Sequence, residues 1–140
     1  METIQIVLNS QDRLSGTNTN ANYLLKKNYF KTNQLYKLSI MCHTEFTNLQ
    51  NADNQLCSVY IDNLTNETSD AYNLIGILRP VYSLVTGTHE RTSYEFNNEI
   101  HSYGLLNEFI NVRIVNRTNS TPYLATNPNY VLILQFTPIK

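Results

Sequence analysis

The stretch "YKLSIMCHTEF", residues 36–46, decides the fold class. Its even positions read Tyr36, Leu38, Ile40, Cys42, Thr44 and Phe46, and its odd positions read Lys37, Ser39, Met41, His43 and Glu45. A period of two places the first set on one face of an extended strand and the second on the other. The stretch is therefore expected to be a long strand with one buried face. The same alternation returns in Cys57, Val59 and Ile61, and again in Ile110, Val112 and Ile114 against Asn111 and Arg113. "YVLILQF", residues 130–136, is apolar on both faces, as in a strand at the centre of a sandwich.

Working outward, candidate strands fall at residues 3–8, 22–26, 35–46, 56–61, 73–84, 92–97, 109–115 and 130–136. Turn-forming clusters separate them, among them Asn51-Ala52-Asp53-Asn54 and Thr86-Gly87-Thr88. About eight strands at this spacing predict an all-β, single-domain antiparallel β-sandwich or barrel over residues 1–140. The expected core holds Leu38, Ile40, Cys42, Val59, Ile61, Ile110, Val112, Ile114, Leu132, Leu134 and Phe136. Residues 102–108 are the single helical candidate, one turn long. Pro80 is expected to mark a break, bulge or edge in its strand.

Charged residues are sparse, at 15%, and the net charge is −1. Their place is taken by 20 Asn and 15 Thr, beside 10 Tyr. A skin of uncharged amides and hydroxyls is weakly hydrated, whereas free monomeric proteins usually carry more charge. A nucleic-acid partner is not expected, because the 10 Lys and Arg are scattered and form no basic stripe. No apolar run approaches the roughly 18–20 residues of a membrane span. The start, Met1-Glu2-Thr3-Ile4, lacks the basic and apolar regions of a signal peptide, so synthesis inside the cell is expected. Cys42 and Cys57 sit in alternating apolar runs and read as buried free thiols. The four Asn-x-Ser/Thr triplets, at Asn63, Asn66, Asn116 and Asn119, are what chance yields at this Asn and Thr content.

Chemistry-bearing groups do not assemble into a catalytic or metal pattern. His43, His89 and His101 lack the spacing of a zinc site, and the adjacent Cys42 and His43 should point to opposite faces of one strand. Cys42 on the core face would be inert as a nucleophile. No nucleophile elbow or phosphate-cradling loop occurs, and the chain has only 4 Gly. Glu90, Glu95 and Glu99 are the nearest thing to a carboxylate group, and nothing in their spacing demands convergence. The chain is accordingly not expected to be an enzyme or to hold a cofactor or metal.

One polar stretch stands apart. In "VLNSQDRLSGTNTNANYLL", residues 7–25, an apolar run stops at Asn9 and a hydroxyl- and amide-rich segment follows. Asn9, Ser10 and Asp12 can bond nearby backbone amides, and Gly16 can take a positive φ. The segment reads as an ordered corner. Arg13, a five-donor fork, either closes that corner or reaches a carboxylate or carbonyl on another chain.

This opening resembles that of small minor capsid (cement-type) proteins of large eukaryotic DNA viruses, polinton-like viruses and virophages. Asn9, Ser10, Asp12, Arg13, Ser15, Gly16 and Thr17 stand at the positions of their shared motif, and become candidates for a partner interface. The close likeness covers about the first 25 residues; beyond them the agreement is one of layout. It implies a jelly-roll-like sandwich in an icosahedral shell, made in the host cytoplasm and bound in the virion. Its partners would be the major capsid protein, other minor capsid proteins and, in some arrangements, further copies of itself. It carries over no catalytic residues. The alternative expectation is a carbohydrate-binding β-sandwich of a viral fibre or adhesin, which the absence of Trp disfavours.

Overall fold

The computed structural model describes residues 2–25, 29–47, 57–66, 74–78, 90–105, 109–116 and 126–140. Among these residues, ten strands form two five-stranded antiparallel sheets. The first contains β1 (Ile4–Asn9), β10 (Thr126–Pro138), β4 (Tyr36–Thr47), β8 (Glu90–Leu105) and β6 (Leu64–Asn66), in that order. The second runs β2 (Ser15–Thr17), β3 (Asn20–Leu24), β9 (Phe109–Asn116), β5 (Cys57–Ile61) and β7 (Leu74–Leu78).

The pairings explain the topology. β1 pairs with β10, β3 with β9, β4 with β8 and β5 with β7, each antiparallel. These are nested partners: the chain is one long antiparallel ribbon doubled back near its middle. Two further ladders, β10 with β4 and β9 with β5, knit turns of that ribbon into sheets. Numbered as eight main strands, the sheets read 1-8-3-6 and 2-7-4-5, which is the jelly roll. The short β2 and β6 extend one sheet each, which takes the expected eight strands to ten.

Alternation is realised as burial. Along β4, Tyr36, Leu38, Ile40, Cys42 and Thr44 are buried while Lys37, Ser39, Met41 and His43 are exposed. All eleven expected core residues lie in one cluster, joined by Ile6, Leu8, Tyr23, Tyr36, Leu64, Ile75 and Tyr130 among others. β10 lies inside its sheet between β1 and β4, and only one of its two apolar faces is sealed: Leu132, Leu134 and Phe136 are buried while Val131 and Ile133 are half-buried.

Two expectations are corrected. Residues 102–105 form strand rather than a helical turn, while 106–108 lie outside the described residues. The strand is held there by ladders to β4 and β6, and Gly104 takes φ +101° with its N–H donating to the Ser102 hydroxyl at 3.0 Å. β8 is also far longer than residues 92–97. Three of its residues, 97–99, bulge opposite the single Ser39, so the ladder continues through an Asn-rich segment that reads as a strand end. Pro80 lies outside the described residues.

Candidate functional site

The opening corner is ordered from its own side chains. Asn9 ends β1 in extended conformation (φ −99°, ψ 128°), and its Oδ1 accepts from the Gln11 N–H at 2.9 Å. That bond caps a 3-10 turn over Ser10–Asp12. Ser10 is fully buried, and its hydroxyl accepts the Tyr130 N–H of β10 at 3.0 Å. Having no accessible surface, Ser10 is corrected from an interface candidate to an internal tie.

Arg13 works inward. Its Nε donates to the Gly16 carbonyl at 3.1 Å, and Nη1 donates to the Ser10 carbonyl at 3.1 Å and to Asn18 Oδ1. Of the two roles open to it, the geometry realises the brace. Gly16 takes φ +85°, and a Cβ there would stand 2.1 Å from the Asn20 carbonyl oxygen. Asn18-Thr19 turn the chain tightly from β2 to β3, so a hairpin occupies a segment whose sequence reads as loop. Ser15 accepts from Asn22 Nδ2 at 3.3 Å, and Thr17 Oγ1 accepts the Asn20 N–H at 3.2 Å. The hairpin is then anchored on β10, because Asn18 Nδ2 and Gln11 Nε2 both donate to Asn129 Oδ1 at 3.0 Å. Asp12, Leu14, Ser15 and Thr17 remain exposed.

Beneath the corner lies a buried hydroxyl pair, Tyr23 donating to Tyr130 at 2.9 Å. Sequence reading left both out of the core, because Tyr with a polar tip fits surface or interior equally. Burial raises both phenol pKa values above the ordinary tyrosine value.

The outer faces of the two sheets differ. On the first sheet, Val7 opposes Ile133 and Ile133 opposes Met41, forming one row across β1, β10 and β4. Val7 is 57% and Met41 40% exposed, an apolar stripe in which Met41 stands on the face that the alternation of β4 sets outward. On the second sheet, Asn111 Nδ2 donates to Asn20 Oδ1 at 3.1 Å and to Asn22 Oδ1 at 2.9 Å. Beside this amide ladder, Arg113 forms a two-pronged ion pair with Asp62 at 3.0 and 3.1 Å and lies 4.4 Å from the centre of the Tyr60 ring. Hydrogen bonding to Asp62 raises the Arg113 pKa.

Among the described residues the other sequence candidates do not assemble. Cys42 is buried and His43 exposed, on opposite faces of β4, so they form no nucleophile pair. Cys42 and Cys57 are buried and outside any disulfide, and burial pushes the Cys42 thiol pKa up to about 12. His101 is half-buried on β8. His89 and the side chains of Glu90, Glu95 and Glu99 lie outside the described residues. Among the described residues no group of three or more His, Cys, Asp or Glu could hold a metal ion. Among them, too, no helix is long and apolar enough to cross a membrane. Compared with known protein families and with curated proteins, the chain matches none.

Proposed function

We propose that the chain is a virion structural protein, a minor capsid or cement protein that packs against the major capsid protein and works by association rather than catalysis. The observation that carries the reading is the join between the motif and the fold. The Asn9-to-Thr17 segment that resembles the openings of such proteins forms a rigid corner on a jelly roll, an architecture frequent in viral shells. The outer surfaces support the same reading. One presents an apolar stripe around Val7, the other amides already bonded to one another beside the neutralised Arg113–Asp62 pair and the exposed Leu24 and Phe109. Such faces suit many modest contacts summed over a lattice better than one tight site. The partners proposed are the major capsid protein, other minor capsid proteins and, through lattice symmetry, other copies.

Mass spectrometry of purified virions tests the proposal by counting copies of this chain against major capsid protein. A fixed stoichiometric ratio is expected; absence from particles overturns the reading. A carbohydrate-binding role draws support from the amide ladder beside Tyr60. Against it, Arg113 occupies one face of the ring on which a sugar would stack. Saturable binding on a glycan array, lost in Tyr60→Ala, would favour that role.

A further inference from the structure

The geometry points to the free edge of β1 as a docking site for an extended arm of another protein, which adds to the first sheet as a further strand. β1 is terminal in its sheet and pairs only with β10 among the described residues. Half of its N–H and C=O groups therefore face away from any ladder. Natural edges are usually blunted by Lys, Pro or a bulge. The strand Ile-Gln-Ile-Val-Leu-Asn has neither charge nor proline, and its ladder to β10 runs from Ile4 to Asn9 without a register shift.

A groove of about 520 Å³ runs beside this edge, between β1 and the end of β3. β2 covers β3 only as far as Asn22, so Tyr23 and Leu24 form the far wall together with Leu25 and Tyr29. Val7 and Leu24, 57% and 51% exposed, flank it. An arm laddered to β1 would send alternate side chains into this groove, where Gln5, Asn9 and the tyrosines set polar atoms beside apolar side chains, and the others outward beside Val7. Among the described residues the groove carries one charge, Asp12. The neighbouring Arg13 donates instead to Ser10, Gly16 and Asn18, so among the described residues no cation engages the carboxylate, which suits a Lys or Arg of the arm. An isolated arm fits better than a second copy. The β2–β3 hairpin stands at the same margin, and a second sandwich would bring its own hairpin into that space. The inference goes beyond the capsid reading and does not depend on it.

Two fluorescent heptapeptides serve as probes, Lys-Val-Thr-Val-Thr-Val-Thr and its reverse, because an arm can run either way along the edge. Saturable binding of one is expected, with slower amide exchange at residues 4–9. Val7→Lys places a blocking charge on an exposed site and should weaken binding about tenfold while melting stays unchanged. Asp12→Asn should weaken the Lys peptide a few-fold and leave a Gln-for-Lys version unaffected. Three results would overturn the inference: neither peptide binds; binding is indifferent to Val7→Lys; or the protein alone forms a dimer that Val7→Lys dissolves, which makes a second copy the occupant.

Discussion

Each end of the sandwich turns on a glycine in the left-handed region, and the two ends are built from opposite materials. At the corner, Gly16 (φ +85°) is surrounded by amides, hydroxyls and the Arg13 fork. At the other end, Gly104 (φ +101°) lies against the ring of Phe30, which packs edge-on with Tyr36 and Phe136 at 5.5 and 4.8 Å. β10 connects them, from Tyr130 at the polar end to Phe136 at the aromatic one. The polar end is ordered by matched donors and acceptors, so it fails one bond at a time. The aromatic end is ordered by packing, where a neighbour can shift to share the strain.

Placing a side chain at each glycine sharpens this contrast. Gly16→Val should be the most damaging change, on the order of 3 kcal/mol or more, because strain at positive φ adds to an immovable clash. The atom that its Cβ meets at 2.1 Å is a backbone carbonyl oxygen. Thermal denaturation reads the loss, and a variant melting like wild type would show that the hairpin can rebuild. Gly104→Ala should cost less, about 2 kcal/mol, since its nearest obstacle at 2.5 Å is Phe30 Cγ, part of a side chain that can shift as a whole where a backbone carbonyl cannot. Adding Phe30→Leu should recover part of that loss, while an equal loss in both backgrounds would place the strain in the backbone alone.

The two glycines also mark what could be read in the sequence. Gly16 sits among Asn, Ser and Thr, a composition that announces a corner, and the corner is there. Gly104 follows His101-Ser102-Tyr103 and precedes Leu105-Leu106, a stretch that reads as a helical turn because its ladders come from far away: Ser102 pairs with Tyr36 of β4, 66 residues back, and Gly104 with Thr65 of β6, 39 residues back. Long-range pairing leaves no local trace. The core alternation of β4, β5, β9 and β10 was legible because each strand has one sealed face. The β2–β3 hairpin was not, since Ser15, Gly16 and Thr17 are all exposed and carry no apolar signal. The apolar stripe was legible in part: the alternation of β4 sets Met41 outward, whereas Val7 lies in the unbroken apolar run of residues 6–8, which marks no face.

The hydroxyl pair under the corner breaks the comparison differently, being polar but buried. Tyr23→Phe should cost about 1–2 kcal/mol by leaving the Tyr130 oxygen without its donor. The double change to Phe at 23 and 130 should cost less than the sum of the two single changes. Alkali tests the same site. Burial raises both phenol pKa values above the ordinary 10.0, and that of Cys42 from 9.0 to about 12. The unfolded chain therefore loses these protons first as pH rises, and stability declines. The fall should begin near pH 9 with Cys42, steepen above pH 10, and approach about 1.4 kcal/mol per pH unit for each group. Flat stability from pH 8 to 11 would contradict the burial of all three.

The smallest effect belongs to Arg13, and it separates order from association. Its guanidinium makes three inward bonds but stands on an exposed corner, where water can replace each partner. Arg13→Ala should therefore lower stability by only about 1 kcal/mol, a few degrees of melting temperature for a chain of this size. Arg13→Lys should not restore it, because a single ammonium cannot reproduce the fork that spans the Ser10 and Gly16 carbonyls and Asn18. In the capsid reading, particles assembled from folded Arg13→Ala protein should incorporate it normally, since the side chain is spent within the corner. Unchanged melting with reduced incorporation would reverse the assignment and turn Arg13 outward to a partner. Unchanged melting and unchanged incorporation together would remove both roles and leave Asn9, Ser10 and Gly16 to hold the corner without it.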